Sequence, residues 1–230
     1  MCTHYTPTER ERLMAIELGI IDLPVTQWPP EVFPGYQAPI VVAGAAPGEP
    51  PQCLVARFGL VPRWCADARQ ATDMGRRTYN ARSETAAVKP SYRGPWRERR
   101  FALAPMAHFY EPCWESGRAV PWRIGRADGA PFAVAGLWER WTDRTSGEIT
   151  TSFTLLTVNA DGHPLLGRMH RPGEEKRMVV IVPPHEYTDW LHATPEQAAH
   201  KMRTTPADVL QGTPEPPAPR NAPVPAAGLF

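Results

Sequence analysis

Apolar residues fall into short runs of four to six positions, most of them bounded by glycine or proline: Ile40–Ala43, Cys53–Phe58, Phe101–Ala104, Phe132–Ala135, Phe153–Val158 and Met178–Val182. Runs of this length predict strands rather than long helices. Residues 44–51 and 171–176 are polar or rich in Pro and Gly, and they read as surface loops. Helix-start signals stand near the two ends. Thr6-Pro7-Thr8-Glu9 supplies a capping residue, a proline for the first helical position and a capping-box glutamate, predicting a helix that runs to Leu18 and stops at Gly19. Thr194-Pro195-Glu196-Gln197 repeats the arrangement, and Thr205-Pro206 starts a shorter turn. From Thr213 onward, prolines among alanines have the composition of a disordered tail. The expected fold is α+β: a single sheet-rich, barrel-like domain of short strands with a few peripheral helices over residues 1–212, then a Pro/Ala-rich tail over 213–230.

Composition sharpens this only in places. A chain of 230 residues can bury one sizeable core without a disulfide or metal staple. Its 28 prolines favour turns and short elements over a helical bundle. Four cysteines (Cys2, Cys53, Cys65, Cys113), no secretory leader and no apolar run near 18 residues predict a cytoplasmic, nucleoid-associated protein away from membranes. The cysteines form no C-x-x-C pair, so structural zinc is not expected; no other metal and no small-molecule cofactor are expected either. A net charge of +1 gives no global case for nucleic acid; any such case must come from local clustering of the 25 lysines and arginines.

The most specific chemistry stands at the start. Once Met1 is removed, Cys2 carries a thiol and an α-amine on adjacent carbons. Unperturbed values of roughly 7.7–8.0 for the amine and 8.5 for the thiol leave both partly nucleophilic at cellular pH. An aldehyde would condense with the amine, and the thiol would then close a five-membered thiazolidine by intramolecular attack.

Four further segments are unusual for packing alone. Phe58-Gly59-Leu60-Val61-Pro62-Arg63-Trp64 brackets an arginine with aromatics, either a strand end with core rings or a platform on which bases stack. Asn80-Ala81-Arg82-Ser83-Glu84-Thr85 follows Arg76 and Arg77, and is either a solvated loop or a holder of sugar and phosphate. Glu111 follows two aromatics in His108-Phe109-Tyr110-Glu111, where burial could fit it for proton transfer. His170 lies among Arg168, Arg171, Lys176 and Arg177, suggesting a phosphate-lined pocket.

In order and content these motifs resemble the SOS response-associated peptidase family over about residues 2–191. Phe58–Trp64 corresponds to the family's Trp-Gly-Leu-Ile-Pro-x-Trp, Asn80–Thr85 matches Asn-Ala-Arg-x-Glu-Thr, and Ala135–Glu139 matches Ala-Gly-Leu-Trp-Glu. The resemblance implies capture of abasic sites in single-stranded DNA through a Cys2 thiazolidine, with a self-processing activity that removes Met1. It implies Cys2 as nucleophile, Asn80 positioning the amine and sugar, Glu111 moving protons, and His170 assisting the sugar hydroxyl and reversal. Arg82 would hold a phosphate, Phe58 and Trp64 would stack bases, and Arg77, Arg177 and His4 would complete the DNA surface of a protein acting as a monomer. His4 replaces the family's arginine, so the phosphate contact expected there is lost, weakened or made pH-dependent. The segment between His170 and Arg177 is also longer than in the family. Two alternatives stay open at this level: an N-terminal-nucleophile cysteine peptidase or amidase acting in trans, and a non-covalent binder of damaged DNA.

Overall fold

A computed structural model describes residues 2–13, 19–20, 22–46 and 48–215. Its centre is a closed five-stranded barrel of β2 (Gln37–Val42), β3 (Gln52–Phe58), β5 (Phe101–Cys113), β7 (Phe132–Thr142) and β8 (Ile149–Asn159). The strands follow the order β7-β8-β3-β2-β5, and β5 pairs back onto β7 to close the ring. All these pairings are antiparallel except β3 with β8, where Arg57 faces Ser152 and Phe58 faces Phe153. On these strands Ile40, Phe58, Phe101, Leu103, Leu137, Phe153 and Leu155 are all essentially inaccessible to solvent. Five of the six predicted apolar runs fall on these strands, and the sixth, Met178–Val182, is divided between two shorter ones.

Smaller strands attach to the barrel and carry the rest of the site. β4 (Asn80–Arg82) runs parallel to β8, with Asn80 opposite Leu155. β9 (Arg177–Val179) pairs with β8, and β10 (Ile181–Val182) with β7. β5 extends past the ring, where its second half is flanked by β1 (Tyr5–Pro7) and β6 (Val120–Arg126). β11 (Leu210–Pro214) pairs with β6 and carries the chain two residues beyond the boundary expected at 212. Residues 216–230, most of the expected tail, lie outside the described residues.

The first helix start is a correction. Thr6 and Pro7 belong to β1, and α1 (Arg10–Leu13) begins three residues after Pro7. Reciprocal hydrogen bonds between Tyr5 and Val32, with Tyr5 opposite Phe109, hold this stretch extended despite its local capping chemistry. Residues 14–18, the expected remainder of that helix, lie outside the described residues. The second start signal behaves as expected. Thr194 caps the helix Pro195–Lys201, and Gln197 closes a reciprocal capping box. The Thr205-Pro206 turn is a 3-10 helix over Ala207–Val209. No helix among the described residues is long and apolar enough to cross a membrane.

Gly59 shows why a glycine stands where β3 leaves the barrel. Its φ is +118°, and a Cβ there would lie 2.1 Å from the carbonyl oxygen of Gly75, at the end of α2 (Ala68–Gly75).

Candidate active site and nucleic-acid interface

Four elements bring the candidate residues together. Cys2 is fully buried just before β1, and its thiol donates to the carbonyl of His4 at 3.6 Å. From the head of β4, Asn80 donates its Nδ2 to the carbonyl of Cys2 at 2.7 Å, while its buried Oδ1 makes no hydrogen bond among the described residues. Tyr92 donates its hydroxyl to the Asn80 carbonyl at 3.0 Å and fixes that backbone. Glu111, on the extension of β5, is buried with its Oε2 2.9 Å from His170 Nε2. Burial, and then the Glu111 carboxylate, pushes the Cys2 thiol well above its ordinary range. Cys2, Asn80, Glu111 and His170 therefore form one connected group.

His170 is held by its backbone. Its φ is +62°, an uncommon left-handed conformation for a non-glycine residue. Its N–H donates to Pro112 at 2.7 Å, and Met169 bridges to Cys113, so the turn after the 3-10 helix Leu166–Arg168 is stitched to the end of β5. His163 shapes the start of that turn: its Nδ1 accepts from the N–H groups of Leu165 and Leu166, leaving Nε2 to donate to Thr205.

His4 departs from a simple cationic contact. Its ring is stacked between Phe33 and Tyr110, with centroids 4.2 and 4.1 Å away, and Nε2 lies 3.4 Å from Glu31. Burial pulls both His4 and neighbouring His108 below the ordinary imidazole value. In the window beneath about pH 6.5 the unfolded chain then binds more protons than the folded one, so stability is full above that pH and declines as pH falls. His4→Phe keeps the stack and removes one of these groups. Its melting temperature should fall less steeply than wild type between about pH 7 and 5; equal slopes in parallel thermal scans would refute the assignment.

The expected DNA surface is only partly as the sequence suggested. Trp64 is 46% exposed and Arg77 is exposed, both open to a strand. Phe58 is a correction: it is fully buried, packed against Tyr5, Tyr79 and Phe153, and has no free face for a base. Phe58→Ala should cost about 3–5 kcal/mol of folding stability, measured by denaturant unfolding, the range for truncating a buried aromatic. Arg177 is a second correction. Its buried guanidinium donates to both oxygens of Glu84 at 2.8 and 2.9 Å, to Glu175 Oε1 at 2.7 Å and to the Thr157 carbonyl at 2.7 Å. It ties the Asn80–Thr85 segment to β9 instead of facing solvent. Arg82 is half-exposed, with Nη1 2.8 Å from Glu175 Oε2.

Three contributors were not singled out from the sequence. Tyr5 is fully buried with a hydroxyl that has no hydrogen-bond partner among the described residues, and its phenol is pushed up by burial and by neighbouring Cys2. Glu175 was assigned only to a loop. Glu139, noted only as part of a motif, is buried and holds Arg63 Nε at 2.8 Å and Arg100 Nη1 at 3.0 Å, which sets the segment leading to Trp64. The alternation of β5 and β1 places Tyr5 inward once their pairing is known, but nothing local signals that pairing.

Comparison with known proteins agrees with this geometry. Residues 1–214 match the model of the family described as SOS response associated peptidase (SRAP). Among curated relatives, two abasic site processing proteins of Bacillus subtilis (strain 168), YoaM and YobE, are 30% and 32% identical over 139 residues. The match covers 59% of this chain and only 55% and 57% of those proteins. Among solved structures, a Bordetella bronchiseptica protein aligns with a TM-score of 0.83 and 34% identity, over 93% of this chain and 99% of that one. A Bacteroides thetaiotaomicron protein, at a TM-score of 0.78 and 22% identity over 93% and 91% of the two chains, shares the fold. With the barrel, the motif order and a family match reaching from residue 1 to the last strand, this chain belongs to the SOS response associated peptidase family.

Proposed function

We propose that the protein senses abasic sites in single-stranded DNA and links to them covalently through Cys2 after Met1 is removed. The observation that carries the proposal is the convergence of Asn80 and Glu111, itself paired with His170, on residue 2. The freed α-amine adds to the C1′ aldehyde of the opened deoxyribose, and loss of water gives an imine. The thiol then adds to the same carbon, its proton passes to nitrogen, and the new C–S bond closes the thiazolidine without any redox change. Burial and Glu111 push the thiol up, which favours attack by the amine first. Asn80 holds the Cys2 carbonyl, and its Oδ1, unpaired among the described residues, accepts from the amine. Glu111 moves protons during ring opening and imine formation, and His170 assists at the sugar hydroxyl and in reversal.

The relatives named above, both called abasic site processing proteins, support this substrate. The peptidase activity in the family description is assigned here to the Met1–Cys2 bond, as self-processing. Trp64, Arg77 and Arg82 meet the strand, which must be unpaired for its sugar to reach residue 2. Incubating the Met1-free protein with an abasic oligonucleotide should yield an adduct that survives heating on a denaturing gel, more with single strands and junctions than with duplex. No adduct, or a preference for duplex alone, would overturn the proposal.

A further inference from the structure

Arg82, the residue given above to a phosphate beside the lesion, is already engaged by the chain itself. Its Nη1 is 2.8 Å from Glu175 Oε2, and the other oxygen of that carboxylate accepts from Arg177 Nη1 at 2.7 Å. One anionic group spanning two guanidinium groups is also how the two non-bridging oxygens of a phosphodiester would be held.

The carboxylate is held in place by its neighbours. Lys176 donates its N–H to Asp161 Oδ1 at 3.0 Å, and its carbonyl accepts from Ala160 at 2.7 Å. The Lys176 ammonium donates to the carbonyls of His170 and Arg171 at 3.1 and 2.8 Å. Arg171 lies over the Trp114 ring at 4.6 Å, and Asn159 Nδ2 donates to Glu175 Oε1 at 3.3 Å. The segment that follows His170 thus delivers Glu175 to Arg82 with little freedom.

The two arginines differ in what they would lose. Arg177 is buried and keeps Glu84 and Thr157 if Glu175 moves away. Arg82 is half-exposed, and among the described residues Glu175 is its one ion-pair partner. Exposed pairs of this kind are weak in water, so a correctly placed phosphate can exchange for the carboxylate.

We propose that Glu175 is a resident stand-in for a DNA phosphate on Arg82, displaced when a strand binds, and that it selects against undamaged strands. An intact strand must displace Glu175 with non-covalent contacts alone. An abasic strand becomes fixed through Cys2 and depends less on Arg82. The inference rests on the DNA role proposed for Arg82.

Binding of a fluorescent single-stranded oligonucleotide without a lesion, followed by anisotropy with the full chain, tests it. Glu175→Gln keeps the side-chain shape and should bind about 2- to 5-fold tighter, the range expected from releasing one exposed charge pair. Glu174→Gln removes the same charge next door, where no ion pair forms among the described residues, and should change affinity less than about twofold. The gain from Glu175→Gln should vanish in an Arg82→Ala background. No gain, an equal gain from Glu174→Gln, or a gain that persists without Arg82 would overturn the inference while leaving the DNA role of Arg82 intact. If Arg82→Ala alone leaves binding unchanged, that role itself falls, and the stand-in falls with it.

Discussion

Chains that retain Met1 should give no detectable adduct with an abasic oligonucleotide, whereas Met1-free chains from the same preparation should react. With Met1 in place the nitrogen of Cys2 is an amide, which cannot condense with an aldehyde, so the expected loss is complete. Cys2→Ala with a free amine separates the two nucleophiles. It can still form an imine, trappable by borohydride, but it lacks the thiol that closes the ring. Intramolecular closure of this kind is worth an effective molarity of roughly 10⁵–10⁸ M, so without it the link should not survive heating. Mass spectrometry of the N-terminus before reaction, and a denaturing gel after it, decide the matter. A heat-stable adduct from either the Met1-bearing chain or Cys2→Ala would show that another residue is the nucleophile.

The second large effect concerns Glu111. Its carboxylate is buried, pairs with His170 at 2.9 Å and acts electrostatically on Cys2. Glu111→Gln keeps the volume and a hydrogen bond to His170 but removes the group proposed to accept and return a proton. Single-turnover adduct formation should slow by about 10²–10⁴, the usual contribution of a positioned acid–base group. His170→Gln should slow reversal of the link as well. Melting temperatures of both variants guard against a folding defect. A Glu111→Gln rate within about threefold of wild type would remove the residue from the proton path.

Much of the barrel was legible because its strands announce themselves locally. Cys53–Phe58 and Phe153–Val158 are apolar stretches whose ends are set by chemistry visible within a few residues. Thr6-Pro7 misled because capping signals are local, while the partner that won, the strand around Phe109, lies a hundred residues away. The same distance explains Arg177, whose fate is decided by Glu84 across 93 positions of sequence. Phe58 and Trp64 sit in one motif, yet one is core and the other open to solvent. Sequence gives the ring but not the face it presents. The candidate nucleophile and proton-transfer residues came from motif order, and the structure joins them into one connected group. Glu175 carried no signal, since a glutamate in a polar loop is ordinarily a solvated one.

The length of β5 has a consequence for how the protein fails. One uninterrupted strand is both a stave of the closed ring and the mount for Glu111, with its far end stitched to the turn that bears His170. The reactive end therefore has no hinge along which to loosen alone. Heat should abolish capture and the barrel in a single cooperative step, with the amides around Phe109 among the last to exchange with solvent.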